Sequence, residues 1–214
     1  MQPLLHDFEG ERVLVFGGGR VGARRARTFR AAGARVIVVS PAFAGADFGG
    51  AEQVRAAPGP DAVAGWLDRV APALVVAATD DGDVNNAVAA AADERGTLCN
   101  RADHSGARDP GRVAVPSTVR EGPVVVGIST GAPALTRVLR QRIEETVRAA
   151  GELAPLVGRL RGRLDGLPAD RRRAVLRRVV RSDRVWKALG SGTTNPEQTV
   201  DEIVSEELGE DRQW

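Results

Sequence analysis

Three glycines near the amino terminus have the spacing of a loop that holds phosphate groups. Gly17, Gly19 and Gly22 follow the order G-x-G-x-x-G directly after an apolar run at residues 13–16. In this order the first glycine permits a tight turn, the second lets a pyrophosphate approach the backbone, and the third lets a helix pack closely on a strand. The N–H groups that begin the helix then face the phosphates. The spacing predicts a dinucleotide site, and the alternative is a loop that is only a tight connection.

The segments on either side supply the elements that such a loop needs. The pattern predicts a strand over residues 13–16, a helix over residues 21–32, and a second strand over residues 35–40 that Pro41 stops. Many dinucleotide folds place an acid at the end of this second strand to hold the ribose hydroxyls. Here Ser40, or the backbone at Pro41 and Ala42, is expected to contact the ribose, so the sequence leaves the choice between NAD and NADP open.

Alternating strands and helices continue to residue 112. Apolar strands at residues 73–78 and 97–100 alternate with helices at residues 62–70 and 83–96, which predicts a parallel, Rossmann-like α/β sheet. Ligands of such sheets bind beyond the carboxyl ends of the strands, where the loops at residues 17–22, 79–81 and 100–105 should meet. The residues expected to bind the cofactor are Gly17, Gly19, Arg20, Val21, Gly22, Ser40, Pro41, Ala42, Thr79 and Asp80.

The pattern changes after residue 112. Two strands, at residues 112–116 and 122–129, and a helix at residues 133–148 form a unit too small for its own core, so it should pack on the first domain or on a second subunit. Helices follow from residue 152, and the last of them has Asn195 as its N-cap. We therefore expect a dinucleotide-binding domain at residues 1–112, a dimerisation and substrate-cleft segment at 113–150, and a helical domain with an acidic tail at 151–214.

Composition excludes several classes of protein. The 214 residues carry a net charge of +2, so no strong field favours nucleic acid, and no apolar stretch reaches the ~20 residues that cross a bilayer. Cys99 is the single cysteine and residues 1–7 do not resemble a signal peptide, so we expect a cytoplasmic protein in a reducing compartment. Arginines crowd residues 159–184; they form either a solvated helix face or a surface for an anionic ligand.

The order of motifs resembles the dehydrogenase module of the siroheme synthases. The resemblance covers residues 4–148 and rests on the segments at residues 17–25, 39–41, 77–81 with Asn85, 99–103, 115–117 and 128–135. It implies NAD-dependent oxidation of precorrin-2 to sirohydrochlorin in siroheme or related tetrapyrrole biosynthesis. It also implies a homodimer whose interface follows residue 110, a tetrapyrrole substrate whose carboxylates suit the arginine-rich region, and in some members the insertion of Fe²⁺.

The resemblance also implies the residues that act on the substrate. Asp103 takes the place of the family's acid and would serve as a general base, or would present a metal ion during insertion. Asn100, His104, Ser129 and Thr130 would contact the substrate. The alternatives are a turn carboxylate at Asp103 and a strand-end turn at Ser129 and Thr130. The segment at residues 129–133 is shorter than the family pattern, which affects metal insertion most.

A glycine loop of this kind also occurs in proteins with two other functions. A regulatory module that senses nucleotides would share the glycine loop, but its second strand would normally end in an acid, which the sequence lacks after Val39. A dehydrogenase for another small substrate would carry a catalytic His, Lys or Tyr in its second half. The chain has no Tyr, Lys187 is its only lysine, and both of its histidines lie in the first half.

Overall fold

The computed structural model describes residues 3–103, 111–191 and 195–209. The chain divides into two compact units, Met1–Val115 and Pro116–Trp214. The predicted segments 113–150 and 151–214 both fall in the second unit, apart from residues 113–115. Among the helices of the described residues, none combines the length and the apolar character needed to cross a membrane.

The first unit alternates strands and helices. Its strands are β1 (Arg12–Phe16), β2 (Arg35–Ser40), β3 (Glu52–Arg55), β4 (Leu74–Ala77) and β5 (Leu98–Arg101), and its helices are α1 (Arg20–Arg30), α2 (Pro60–Val70) and α3 (Gly82–Glu94). All five strands are parallel, in the order β3-β2-β1-β4-β5. The predicted Rossmann-like α/β sheet is therefore confirmed.

Strand order places a crevice beside the glycine loop. The chain runs outward from β1 through β2 to β3, then returns to the other side of β1 as β4 and β5. The carboxyl ends of β1 and β4 thus flank the point at which the winding reverses, where sheets of this type bind their ligands.

Both faces of the sheet are buried, as continuous apolar strands require. On one face Leu14 and Phe16 pack with residues of α2 and α3, and on the other Val13 and Val15 pack with Ala23 and other residues of α1. Most of the strand side chains in β1 and β4 are completely inaccessible to solvent. A rigid sheet therefore fixes the loops at its carboxyl edge.

The second unit begins with a hairpin and continues as helices. The antiparallel strands β6 (Ser117–Glu121) and β7 (Val124–Ile128) are followed by α4 (Pro133–Val147), α5 (Ala150–Arg163), α6 (Ala169–Arg181), α7 (Asp183–Ser191) and α8 (Pro196–Leu208). A core that includes Leu160, Val179 and Ile203 joins α5 to α8. Asn195 caps α8, accepting a hydrogen bond from the Glu197 N–H at 3.0 Å, as predicted.

Several local predictions were wrong. Residues 112–116 form no named strand, because Arg112 makes only an isolated bridge to Cys99, and the hairpin begins at Ser117. The strand β3 was not predicted, because a short edge strand with charged and amide side chains lacks an apolar run. The cap of α3 is Asp81 and not Asp83: its Oδ1 accepts from the N–H groups of Asp83 and Val84.

Candidate functional site

The glycine loop is shaped by contacts that exclude side chains. A Cβ at Gly17, where φ is +116°, would lie 2.2 Å from the Ala78 carbonyl oxygen, and a Cβ at Gly22 would lie 1.9 Å from the Gly17 oxygen. A Cβ at Gly19 would meet no atom of the described residues within 4 Å. Gly17 and Gly22 are therefore needed for packing, whereas Gly19 borders open space, as a backbone approached by a ligand must.

The helix that follows offers its amino terminus to that space. Gly19 is the N-cap of α1 and supplies no side-chain hydrogen bond, and the first turn of α1 holds no acid. Arg20 and Val21 are exposed on this turn. A helix N-terminus without a capping side chain favours an anion, because its N–H groups and its dipole both point outward. These features fit the pyrophosphate of a dinucleotide.

The loop after β2 closes over the glycines. The Ala44 N–H donates to the Gly18 carbonyl at 2.8 Å, and a Cβ at Gly18 would lie 2.3 Å from the Ala42 oxygen. Ser40 is buried, and its hydroxyl donates to the Ala42 carbonyl at 2.7 Å. Pro41 and Ala42 are exposed. Of the three residues predicted to contact the ribose, only Pro41 and Ala42, which follow Ser40, are thus accessible to a ligand.

A buried asparagine fixes the loop after β4. The Asn85 carboxamide accepts from the Thr79 N–H at 3.2 Å and from its hydroxyl at 2.8 Å, and donates to the Thr79 carbonyl at 2.9 Å. Thr79 lies beside the glycine loop, because Gly17 approaches the Ala78–Thr79 peptide. Asp80 is exposed at the same edge. The structure thus brings the predicted residues Gly17, Thr79 and Asp80 together.

The end of β5 carries a paired carboxylate. Arg101 holds Asp103 through two hydrogen bonds, from Nε to Oδ1 at 2.9 Å and from a terminal nitrogen to Oδ2 at 2.6 Å. Arg101 also donates to the Asn86 side chain of α3 at 2.9 Å. The side chains of Arg101 and Asp103 are only 7% and 17% exposed. The pair fixes the orientation of the carboxylate.

Asn100 lies at the same strand end but is buried. Its amide nitrogen donates to the Val113 carbonyl at 2.7 Å, and its buried Oδ1 accepts no hydrogen bond from the described residues. Asn100 therefore anchors residue 113 beside the sheet. Its predicted contact with substrate stays a prediction, and the predicted residue His104 lies outside the described residues.

In the second unit, the predicted pair Ser129 and Thr130 precedes α4. Ser129 is exposed, whereas the Thr130 hydroxyl accepts from the Ala132 N–H at 3.1 Å and lies 2.6 Å from the Thr136 hydroxyl. Thr130 thus stabilises the turn into α4. A contact of either residue with substrate stays a prediction.

Much of the arginine-rich region is paired within its own unit. Arg184 contacts Glu202 and Glu206 on α8 at 2.5 and 2.9 Å, and Arg163 contacts Asp201 at 2.8 Å. Arg159 and Arg178 also pair with acids of α8. The acidic residues of α8 therefore neutralise several of the arginines that, from sequence alone, could form a surface for an anionic ligand.

Two further observations bear on reactivity. Cys99 is buried in the core, and this burial raises the pKa of its thiol, which keeps it protonated and unreactive. Within residues 3–103, 111–191 and 195–209, no group of three or more His, Cys, Asp or Glu side chains is arranged to hold a metal ion. The prediction that Asp103 presents a metal stays untested.

Three residues at the edge were missed from sequence. Gly18 lies between Gly17 and Gly19. A side chain at Gly18 would clash with the loop after β2, and the spacing of residues in the sequence does not reveal where that loop lies. Arg101 and Asn86 lie 15 residues apart and meet only because α3 packs beside β5. The sequence did hold one signal for the pairing with Asp103: a cationic residue, Arg101, precedes it by two positions at the end of a strand.

Comparisons with known proteins agree with this geometry. A sequence family described as "Putative NAD(P)-binding" matches residues 4–117. Siroheme synthase 1 of Aeromonas salmonicida is 35% identical over 222 residues, which are 97% of this chain and 45% of that protein. Siroheme synthase of Azotobacter vinelandii is 37% identical over 196 residues, or 89% and 41% of the two chains. The chain thus spans less than half the length of these curated relatives.

A solved structure supports the fold over nearly the whole chain. The structure titled SirC, precorrin-2 dehydrogenase, has a TM-score of 0.69 and 21% sequence identity, and covers 96% of this chain and 100% of its own. The family match over more than half of the chain identifies it as a member of this NAD(P)-binding family, and its sequence is similar to a part of the siroheme synthases.

Proposed function

We propose that this chain oxidises precorrin-2 to sirohydrochlorin, with NAD as the hydride acceptor. One observation carries the proposal: the open glycine cradle and the fixed carboxylate of Asp103 stand at the same edge of one parallel sheet. The names of the relatives, siroheme synthases, and of the structural neighbour, a precorrin-2 dehydrogenase, supply the substrate class.

The spacing of the strands suits a dinucleotide that reaches toward Asp103. Neighbouring strands lie about 4.8 Å apart, so the end of β5 is roughly 10 Å from the end of β1 across β4. The pyrophosphate would lie on Gly19 and the first turn of α1, and the rest of the molecule would cross the Thr79 loop. When bound, the nicotinamide ring supplies the acceptor for hydride.

Asp103 is proposed to accept the proton that leaves the substrate with the hydride. Oxidation of the macrocycle releases one hydride and one proton, and a carboxylate is a suitable base when it is held in a fixed orientation. Arg101 provides that orientation through its two hydrogen bonds. The proton would go to a carboxylate oxygen, and from there to solvent.

The second unit is proposed to form a homodimer. α4 buries none of its residues within the described chain, and Leu135 and Val138 are 51% and 46% exposed on it. Two large apolar side chains one turn apart on an exposed helix face are typical of an interface. Replacing Leu135 with Asp should convert the dimer to a monomer in sedimentation experiments, whereas replacing the exposed Gln141 of the same helix with Asp should not.

Insertion of Fe²⁺ into the product is a second proposed activity, with the iron as substrate. It would depend on Asp103, whose carboxylate would accept the pyrrole protons or present the metal ion. Adding ferrous ion to sirohydrochlorin with and without the protein tests it directly. An identical rate of siroheme formation in both samples would exclude this activity.

The main assay separates oxidation from simple nucleotide sensing. Purified protein with anaerobically prepared precorrin-2 and NAD should yield sirohydrochlorin and NADH in equal amounts. A protein that binds NAD but leaves precorrin-2 unchanged would be a sensing module. Asp103→Asn should reduce turnover by about a hundredfold or more while NAD affinity stays unchanged. The exposed Asp61→Asn is the matched control, and an equal loss in both variants would remove Asp103 from the mechanism.

A further inference from the structure

An open groove lies between three helices of the second unit. Its volume is about 540 Å³, within the range of about 300–1,000 Å³ that is typical of sites for small molecules. The residues that line it belong to α6, to α8, and to α7 with the turn before it. Apart from Ala174, Ser182 and Ile203, every residue that lines the groove within the described chain is an arginine or a glutamate. Such a lining suits a charged ligand.

Two of the four arginines described in the groove are held by glutamates of α8. A carboxylate oxygen of Glu206 lies 2.9 Å from a guanidinium nitrogen of Arg184, and the other lies 3.8 Å from Arg178. Glu207 lies 3.3 Å from Arg178, and Glu202 lies 2.5 Å from Arg184. These pairs fix both arginines against α8 and occupy the carboxylates that could balance the rest of the groove.

The other two arginines, Arg177 and Arg181, form no ion pair within residues 3–103, 111–191 and 195–209. Both are exposed and lie one turn apart on α6, so their Cβ atoms are about 5–6 Å apart. Like charges at this spacing destabilise a helix. The dipole at the carboxyl end of α6 stabilises Arg181 in the last turn, but Arg177 lies before that turn. The pair therefore carries positive charge that the described residues do not offset.

A hydroxyl group follows this pair in the chain. Ser182 lies in the turn between α6 and α7, and its half-buried side chain lines the same groove. Its backbone N–H donates to the Val179 carbonyl at 3.1 Å, whereas its hydroxyl makes no hydrogen bond to the residues that the structure describes. Two guanidinium groups and one hydroxyl, all within six consecutive positions, can thus donate to one group of oxygen atoms.

We propose that Arg177, Arg181 and Ser182 bind the phosphate group of a small organic phosphate monoester in this groove. Such a group carries about −1.5 to −2 charges at pH 7, which matches the two unpaired arginines. Its three oxygens accept hydrogen bonds from both planar guanidinium forks and from the hydroxyl. The site lies within the second unit, and it depends neither on the dinucleotide site nor on the oxidation of precorrin-2.

Calorimetry on the full-length protein tests the site with glycerol 3-phosphate as the probe. Saturating NAD is present, so that the glycine cradle is occupied and does not bind the probe. One molecule should bind per chain, about tenfold more tightly than succinate, whose two charges lie on separate carboxylates.

Two variants locate the binding. Arg177→Gln and Arg181→Gln should each weaken it about tenfold or more, because each removes charge-assisted hydrogen bonds to the phosphate. Arg171→Gln is the matched control, because Arg171 is an exposed arginine on the same helix that does not line the groove. This variant should bind glycerol 3-phosphate as tightly as the wild type.

Each outcome decides the proposal. The absence of saturable binding would overturn it, and so would equal losses in Arg171→Gln and Arg177→Gln, which would assign the attraction to overall charge. Succinate bound as tightly as glycerol 3-phosphate would overturn the assignment to phosphate. If NAD itself does not bind, the dinucleotide site and the proposed oxidation fail, whereas the arginine variants still decide whether the groove binds phosphate.

Discussion

Replacing Gly19 and Gly22 separately with alanine should separate the two functions of the glycine loop. A Cβ at Gly22 would lie 1.9 Å from the Gly17 carbonyl oxygen, a backbone atom that cannot rotate away. α1 would have to move off the sheet by more than 1 Å, and overpacking of this kind costs about 1–3 kcal/mol. At about 4 °C per kcal/mol for a unit of this size, Gly22→Ala should lower Tm by roughly 4–12 °C.

Gly19→Ala should have the opposite pattern. Among the residues that the structure describes, the new methyl group would meet no atom within 4 Å, and the backbone at Gly19 has φ −75°, which any residue adopts. Stability should therefore change by less than about 0.5 kcal/mol. The methyl group would occupy the space proposed for the pyrophosphate, and losing one charge-assisted hydrogen bond there should weaken NAD binding by about tenfold or more.

Thermal unfolding and NAD titration of both variants check these expectations. Gly65→Ala is the control, because Gly65 is an exposed glycine within α2 with no atom near its Cβ position. It should stabilise the protein by about 0.5–1 kcal/mol and leave NAD binding unchanged. A Gly19→Ala variant that binds NAD as tightly as the wild type, or a Gly22→Ala variant that unfolds at the wild-type temperature, would refute this division of roles.

Three further predictions concern the paired carboxylate, the buried thiol and the helical core. Arg101→Gln should lower kcat about tenfold or more while KM for NAD stays within about twofold. Arg101→Lys should not restore kcat, because lysine lacks the planar fork of the guanidinium. An unchanged kcat in Arg101→Gln would show that Asp103 needs no positioning by Arg101. Because burial raises the pKa of Cys99, the thiol ionises more easily in the unfolded chain than in the folded one, so the free energy of unfolding should fall as pH rises above the ordinary thiol pKa of about 8.5. Cys99→Ala should remove this decline. A decline that persists in the variant would contradict its assignment to Cys99. Raising NaCl from 0.1 to 1 M should destabilise the second unit, because salt screens surface ion pairs such as Arg184 with Glu202. Urea unfolding measures this effect, and Arg184→Gln should reduce it. An equal salt dependence in the variant and the wild type would show that the effect arises from other groups.

Sequence alone predicted the elements that periodicity and glycine spacing determine. The parallel sheet, the helix α1 and the meeting of the glycine and Thr79 loops all follow from apolar runs and from the rule for parallel strands. β3 was missed because its side chains at Glu52, Gln53 and Arg55 face solvent, and only pairing with β2 defines it as a strand. An edge strand of this kind has no local signal.

The chemistry of the sheet edge was predicted less completely. Asp103 was located by resemblance, but its partner Arg101 was not, because pairing depends on how the turn after β5 folds back. The whole arginine-rich region looked available to an anion, but α8 supplies acids to several of its arginines from more than 15 residues away. Long-range charge pairing of this type is set by helix packing, which spacing within one helix does not specify.

The most direct test of the account is a single-turnover reaction under anaerobic conditions. Excess protein is mixed with precorrin-2 and NAD, and the absorbance of sirohydrochlorin and of NADH is followed together. If the chain oxidises precorrin-2 as proposed, both should rise at one rate and in equal amounts, and Asp103→Asn should slow both while binding NAD normally. Tight binding of NAD with no rise at either wavelength would contradict the proposed oxidation.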